Sequence, residues 1–136
     1  MAVDFSKLAV GVDVMDAEHW QLAGMFDEFE HCFHRHGAPE TVELLMQEAL
    51  SLANTHFEHE EALMEATDYP EMAEHKFHHR NLRLQYTTLV GDTVAHFRSH
   101  DPVTLEHLSH MRHLLSNHIA GPDMALANYL KTAGVK

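Results

Sequence analysis

Two pairs of potential metal ligands, placed on either side of a tight turn, constrain this chain more than any other feature. His56 and Glu60 are four residues apart, and so are His75 and His79. On an α-helix, residues i and i+4 lie on one face, one turn apart, so each pair can direct two ligand atoms at one point. A turn signal, Thr-Asp-Tyr-Pro, occupies residues 67–70 between the pairs. The stretch therefore predicts two antiparallel helices that offer ligands to the space between them.

Composition narrows the class of protein. The chain has 136 residues, which is the size of one domain, and its apolar content argues against disorder. A net charge of −12 argues against binding nucleic acid or an anionic membrane. No apolar run approaches the roughly 18 residues of a membrane span, and the N-terminus lacks the pattern of a signal peptide. The single cysteine, Cys32, excludes an intrachain disulfide, so we expect a cytoplasmic protein.

Four segments show the three- and four-residue spacing of apolar positions that is typical of amphipathic helices. Short loops join them, so the sequence predicts an all-α, up-down-up-down four-helix bundle in a single domain, residues 1–136. An N-terminal arm would cover residues 1–15, the bundle 16–120, and a C-terminal segment with a short helix 121–136. The predicted helices run from about Asp16 to His36, Glu40 to Ala66, Pro70 to Phe97 and Pro102 to Ala120.

Capping residues indicate where some of these helices begin and end. Asp13 or Asp16 would cap the first helix, and Gly37 would stop it. Asp101 and Pro102 suit the N-cap and first position of the fourth helix. The predicted boundaries therefore rest on local chemistry as well as on periodicity.

Pro122 is expected to end or kink the fourth helix. Proline cannot donate a hydrogen bond to the carbonyl of His118, four residues back, and its ring crowds that carbonyl. Asp123 is five residues from His118, which on a straight helix would place the two about 140° apart. A kink at Pro122 would let Asp123 turn back toward the bundle interior.

Each predicted helix places histidine on its inner face. The second helix, for example, carries His56 and Glu60 on a stripe with Leu45, Leu52 and Leu63. The histidines predicted to point inward are His19, His56, His75, His79 and His118, out of 15 in the chain.

Two acidic residues, Glu60 and Asp123, are predicted to join these histidines. Ionised carboxylates are costly inside a bundle, and metal ions would offset that cost. Five imidazoles and two carboxylates are too many donors for one tetrahedral zinc, and they suit two metals bridged by carboxylates. Nitrogen and oxygen donors without thiolate favour iron, manganese, zinc or cobalt.

Spacing alone does not select every ligand. His59 is three residues from His56, and His78 is three residues from His75, so either could pair on geometry alone. Cys32 lies roughly 19 Å along the helix from His19 and is not expected to be a ligand.

The sequence resembles the hemerythrin family, and within it the single-domain bacterial hemerythrins. His56 to Met64 is close to the family pattern H-F-x-x-E-E-x-x-M, and residues 69–79 match Y-P…H-x-x-x-H. Residues 118–123 match H-I-x-x-x-D, and residues 11–19 match the start of the first helix. The similarity spans nearly the whole chain, and all seven ligand positions are filled.

The resemblance implies a non-haem di-iron centre. His75, His79 and His118 would hold one iron, and His19 and His56 the other. Glu60 and Asp123 would bridge both irons, together with an oxo or hydroxo group. The two-histidine iron would keep an open position at which the family binds O2 reversibly, in a pocket whose residues match Leu22, Leu115 and Ile119.

The chain departs from the family pattern at two positions. The family often has tryptophan four residues before the ligand histidine of the fourth helix, where this chain has Leu114. An aromatic residue often begins the N-terminal arm, and Phe5 stands in for it. A smaller side chain at position 114 would widen the pocket or admit water, so we expect faster autoxidation than in a tryptophan-bearing relative.

Reversible O2 binding, for carriage, storage, delivery or sensing of oxygen, is the function that the resemblance implies. The protein would then be no enzyme, with at most a weak oxidase or peroxidase side activity. The alternatives are a di-iron oxidase, a peroxidase or a nitric-oxide-handling protein, a signalling module, or a zinc buffer. Charged, mixed exposed faces favour a monomer, and no protein recipient of O2 can be named from the sequence.

Overall fold

The computed structural model describes residues 5–136, with side chains from Lys7 onward. A 3₁₀ turn at Phe5–Leu8 precedes the helices of this range. These are α1 (Asp13–His34), α2 (Pro39–Ala66), α3 (Met72–Phe97), α4 (Val103–His118) and α5 (Met124–Thr132). The predicted arm falls partly on residues 1–4, which lie outside the described range.

The helices α1 to α4 form the predicted all-α four-helix bundle, which is confirmed. α1 packs on α2, α2 on α3, α3 on α4, and α4 on α1, with α5 continuing beyond α4. No strand occurs between residues 5 and 136. None of the helices in that range is both long and apolar enough to cross a membrane.

Aromatic packing closes the end of the bundle that lies away from the inward-facing histidines. The rings of Phe29 and Phe97 lie 5.7 Å apart, and those of Phe33 and Phe97 lie 6.0 Å apart. All three side chains are buried. Burying one phenylalanine contributes about 1.5–3 kcal/mol, so this cluster fixes the helices while the opposite end stays polar inside.

The start of α1 differs from the prediction. The helix begins at Asp13, and the N-cap position is occupied by Val12, which makes no side-chain cap. The carboxylate of Asp16 instead accepts hydrogen bonds from the backbone N–H groups of Val10 and Gly11, at 2.8 and 3.1 Å. Neither Asp13 nor Asp16 is therefore the N-cap. Asp16 instead holds the preceding segment against the first turn of the helix.

The end of α1 also differs from the prediction. The helix ends at His34, and the left-handed residue that follows is His36, with φ of 54°, rather than Gly37. A Cβ atom at Gly37 would lie 2.3 Å from Sγ of the buried Cys32. Gly37 is therefore required for close approach to Cys32, and not for a left-handed backbone.

Candidate metal centre

The alternating directions of the helices bring one end of each to the same place. α1 contributes His19 from its first turns, and α2 contributes His56 and Glu60 near its end. α3 contributes His75 and His79 from its beginning, and α4 ends at His118. The structure thus brings together all seven residues predicted from the sequence, with Asp123 supplied by the turn after α4.

A π-helical turn, Ile119–Asp123, positions Asp123. The backbone dihedrals remain right-handed helical at His118, Ile119 and Asp123, so the helix does not break at Pro122. The α-helical pattern of α4 ends at His118, close to the predicted end, but the chain continues as a π-helical turn that contains Pro122. In a π turn the repeat is i to i+5, which aligns residues five apart on one face. Oδ1 of Asp123 accordingly lies 3.0 Å from Nε2 of His118.

One oxygen of each carboxylate faces a group of three histidines. Oε1 of Glu60 lies 3.0 Å from Nε2 of His79 and 3.2 Å from Nε2 of His75. Oδ1 of Asp123 lies 3.2 Å from the same atom of His75 and 3.0 Å from Nε2 of His118. Potential ligand atoms of these five residues lie within 4.8 Å of one another.

The other oxygen of each carboxylate faces a group of two histidines. Oε2 of Glu60 lies 2.8 Å from Nε2 of His56 and 3.7 Å from Nε2 of His19. Oδ2 of Asp123 lies 2.9 Å from Nε2 of His19. Each carboxylate therefore spans both groups, which is the arrangement of a bridging ligand.

Several of these atoms approach closely without forming hydrogen bonds. Nε2 of His56, Oε2 of Glu60 and both carboxylate oxygens of Asp123 have no hydrogen-bond partner among the described residues. The same holds for Nε2 of His19 and of His118. By contrast, Oε1 of Glu60 accepts hydrogen bonds from Nε2 of His75 and of His79. Buried polar atoms normally have a partner, so the unpartnered nitrogen and oxygen atoms that converge here fit a metal site.

Burial and charge shape the protonation of the metal-free cluster. Glu60 and Asp123 are fully buried, and the five histidines are at most 5% exposed. Burial alone would lower the pKa of His19, but the neighbouring carboxylates of Asp123 and Glu60 outweigh it and raise that pKa to about 9. The pKa of His75 is raised to about 9 for the same reasons. Burial opposes ionisation of Glu60, yet the surrounding histidines hold its pKa well below the usual range.

Two further acids orient ligand imidazoles and were missed by the sequence analysis. Glu18 accepts a hydrogen bond from Nδ1 of His56 at 3.0 Å, and Glu61 accepts one from Nδ1 of His79 at 2.9 Å. Each bond fixes the ring so that Nε2 points inward. Glu18 directly precedes His19 and Glu61 directly follows Glu60, but adjacency alone does not separate an orienting acid from a solvated one.

The residues that spacing left ambiguous lie outside both groups. The half-exposed ring of His59 contacts Oε2 of Glu18 through Nδ1 at 2.5 Å. The ring of His78 is 41% exposed and lies 3.9 Å from Glu74. Cys32 is buried against Gly37, at the far end of α1.

The predicted O2-pocket residues are all buried, but they do not share one cavity. Leu22 and Leu115 line an apolar cavity inside the bundle. Ile119 is fully buried at the start of the π-helical turn and is not among the residues that line that cavity.

Comparison with known proteins agrees with this geometry. A family model, the hemerythrin HHE cation binding domain, matches residues 10–130. A bacteriohemerythrin of Stenotrophomonas maltophilia is 28% identical over 124 residues, which cover 91% of this chain and 78% of that protein.

A bacteriohemerythrin of Campylobacter jejuni is 25% identical over 83 residues, covering 61% of this chain and 62% of that protein. No solved structure matches the chain. The family model spans most of the chain, including every residue of the buried histidine and carboxylate cluster. The chain therefore belongs to the hemerythrin family, as a cation-binding domain of the HHE type.

Proposed function

We propose that this chain binds O2 reversibly at a di-iron centre, as an oxygen-binding protein rather than an enzyme. The observation that carries the proposal is the asymmetry of the cluster. One group offers three histidines and the other offers two, and the same two carboxylates serve both. Each metal would share the same two carboxylates, but one would have three histidine nitrogens and the other two. The metal with two histidines would have fewer protein ligands, and hence room for a small molecule.

The donor set fits the ions that the family implies. His75, His79 and His118 would hold one iron, His19 and His56 the other, with Glu60 and Asp123 bridging. Imidazole nitrogens and carboxylate oxygens are suitable ligands for iron, and Cys32 is too distant to contribute a thiolate. When bound at these residues, two irons would supply two electrons to O2 and recover them when O2 is released.

The protein's own contribution is to hold the ligands still and keep water away. Glu18 and Glu61 fix the rings of His56 and His79 from outside. Leu22, Leu115 and Ile119 are at most 3% exposed, and each lies within three residues of a proposed ligand, so they contribute buried apolar surface on the helices that carry the centre. Water or anions that reach such a centre would promote loss of superoxide, so this apolar surface supports reversible binding.

The proposal is tested by anaerobic loading with ferrous iron, followed by exposure to O2. We expect two irons per chain and a visible ligand-to-iron charge-transfer band that forms with O2 and disappears under vacuum. His118→Ala should lose stoichiometric loading, whereas His113→Ala, which changes an exposed histidine of the same helix, should retain it. The matched pair separates a specific site from general binding by surface histidines.

Two results would contradict the proposal. Irreversible bleaching with peroxide release would indicate an oxidase, and tight binding of two zinc ions with no iron spectrum would indicate metal buffering. Carriage, storage, delivery and sensing of O2 all remain compatible with reversible binding. We further propose that the protein acts as a cytoplasmic monomer, which sedimentation of the iron-loaded form would test.

A further inference from the structure

An apolar cavity lies in the bundle core beside the candidate metal centre. Its lining includes Leu22 from α1, Phe57 from α2, Tyr86 from α3 and Leu115 from α4. The ring of Phe57 stacks on that of His79, a proposed ligand, with 4.2 Å between centroids, so the cavity adjoins the centre. About 20 Å³ is open, which is room for one water-sized molecule.

The lining of this cavity suits a dissolved gas better than water. A buried water usually needs two to four polar partners. Of the side chains that line the cavity, that of Tyr86 alone carries a polar group, its hydroxyl. A small uncharged molecule such as O2 needs no hydrogen bonds there.

A surface cleft of about 190 Å³ lies between α2 and α3, on the outer side of the same wall. Asn54, Arg83 and Thr87 contribute its polar rim. Four residues line both the cleft and the inner cavity: Leu50, Ala53, Phe57 and Tyr86. These four side chains form the wall at which the cleft and the cavity meet.

Phe57 is the fixed part of this wall. Its ring stacks on that of His79 with 4.2 Å between centroids, and the Arg83 guanidinium lies 5.1 Å above its centroid. Arg83 is itself tied to α2, because its Nε donates to Oδ1 of Asn54 at 3.0 Å. Ala53 has no side-chain torsion to rotate, and the half-buried Leu50 has no polar group that would gain from reaching the cleft. Tyr86 is therefore the wall side chain that gains most from moving.

The hydroxyl of Tyr86 has no hydrogen-bond partner among the described residues, although the side chain is only 5% exposed. The other tyrosines differ, because the Tyr69 hydroxyl donates to Glu71 at 3.2 Å and the Tyr129 hydroxyl donates to the carbonyl of Thr67 at 2.5 Å. A buried hydroxyl without a partner is costly. Rotation of the ring into the cleft would return the hydroxyl to water and the polar rim, so the missing hydrogen bond lowers the cost of opening.

We propose that O2 reaches the centre between α2 and α3, and that the Tyr86 side chain is the gate of this path. The gate rests on the proposed function, because it supplies the centre with its ligand. In the closed position the ring fills the wall and protects the centre from water. In the open position the cleft and the cavity are joined, and a small gas passes.

The gate is tested by the rates of O2 association and dissociation in the iron-loaded protein. Tyr86→Phe keeps the ring but has no hydroxyl that could return to water in the open position, so opening costs more free energy. Both rates should therefore fall together by up to roughly tenfold. The equilibrium affinity should stay the same, because a gate changes the two rates equally. Tyr86→Ala should raise both rates.

Tyr129→Phe is the matched control, because it removes a tyrosine hydroxyl that is already hydrogen-bonded. Its O2 rates should equal those of the wild type, while its melting temperature should fall. The melting temperature of Tyr86→Phe should be equal to or above that of the wild type, since an unpartnered hydroxyl is lost. A fall for Tyr86→Phe would show that the hydroxyl has a partner and would overturn the gate.

Failure of the gate can be told from failure of the proposed function. Wild-type protein that binds O2 at the same rates as Tyr86→Phe would refute the gate and leave reversible binding intact. If the wild type does not bind O2, xenon serves as the probe with the metal-loaded protein. Xenon-129 exchange measured by NMR should then be slower for Tyr86→Phe than for wild type, and equal exchange would overturn the gate.

Discussion

Glu18 accepts a hydrogen bond from Nδ1 of His56 at 3.0 Å, and its second oxygen lies 2.5 Å from Nδ1 of His59. One largely buried carboxylate on α1 thus connects a proposed metal ligand to a half-exposed histidine on α2. The contact ties the two helices together at the centre and sets the direction of the His56 ring.

Glu18→Ala should therefore weaken metal binding without removing a ligand. Loss of a carboxylate that orients a metal-bound histidine typically costs 10–100-fold in affinity, so we expect a loss of about that size for the iron that His19 and His56 would hold. Competition with a chelator measures it. Glu18→Gln can still accept a hydrogen bond, so its iron affinity should lie between those of the wild type and Glu18→Ala. Glu58→Ala changes an exposed position of α2 and should bind iron as the wild type does. Equal affinity for Glu18→Ala and Glu58→Ala would refute this role.

The stability of the metal-free protein should fall as the pH rises above neutrality. Burial opposes protonation of His19 and His75, but Asp123 and Glu60 raise the pKa of each to about 9. The pKa of an unfolded histidine is about 6.5, so this stabilisation is complete below that pH and lost as the pH approaches 9. Melting temperatures of the metal-free protein should decline over this window, and less steeply in His19→Ala. A flat profile would contradict the prediction.

The same cluster should respond in the opposite sense at acid pH. Despite burial, the histidines hold the pKa values of Glu60 and Asp123 below their usual range. A depressed carboxyl pKa gives stability that is present above the unfolded value, near 4, and lost as the pH falls below it. Acid titration of the metal-free protein, followed by circular dichroism, should show Glu60→Gln to be less sensitive than the wild type below a pH of about 4. Identical acid transitions for the two proteins would show that ionised Glu60 does not stabilise the metal-free fold.

The sequence was most informative about the site, because its polar residues are costly to bury. Charged and imidazole groups at helical spacing identified the convergent residues, because few structures other than a metal site accommodate them. The structure brings those seven residues together, while their role as ligands remains a proposal. Glu18 and Glu61 were missed, because a charged residue beside a ligand has no spacing of its own to distinguish it from a solvated one.

Apolar spacing was less decisive about which stripe of α2 faces the core. Leu45, Leu52 and Leu63 are half-buried, whereas Met46, Phe57 and Met64 are fully buried. α2 packs against both α1 and α3, so it buries a wide stripe whose centre periodicity alone does not fix. The π-helical turn at residues 119–123 was missed because proline was expected to end a helix, and a widened turn accommodates it instead.

Arg112 should contribute to stability through a clamp between α4 and α1. Its Nη1 donates to Oε1 of Glu30 at 2.6 Å and its Nη2 to Oδ1 of Asp27 at 2.7 Å. The guanidinium is largely buried but both acids are more exposed, so we expect Arg112→Met to cost only about 1 kcal/mol of unfolding free energy. Urea denaturation measures it. Arg98→Met, which removes an exposed pair with Glu43 at 3.5 Å, should cost close to nothing, and equal losses would refute the clamp.

Leu114 should set how long the proposed oxygenated form survives. Its half-buried side chain packs against the hydrophobic core of the bundle, one turn before His118, where the family often has tryptophan. A larger ring would fill more of the space beside the centre and exclude water, which promotes oxidation to an inert ferric pair. Decay of the visible band in air should therefore be slower for Leu114→Trp than for the wild type. Leu105→Trp adds the same ring to a partly buried position about two and a half turns earlier on α4 and should leave the decay rate unchanged. Equal or faster decay for Leu114→Trp would contradict this prediction. It would indicate that water reaches the centre by another route, and the α2–α3 wall at Tyr86 is the next candidate.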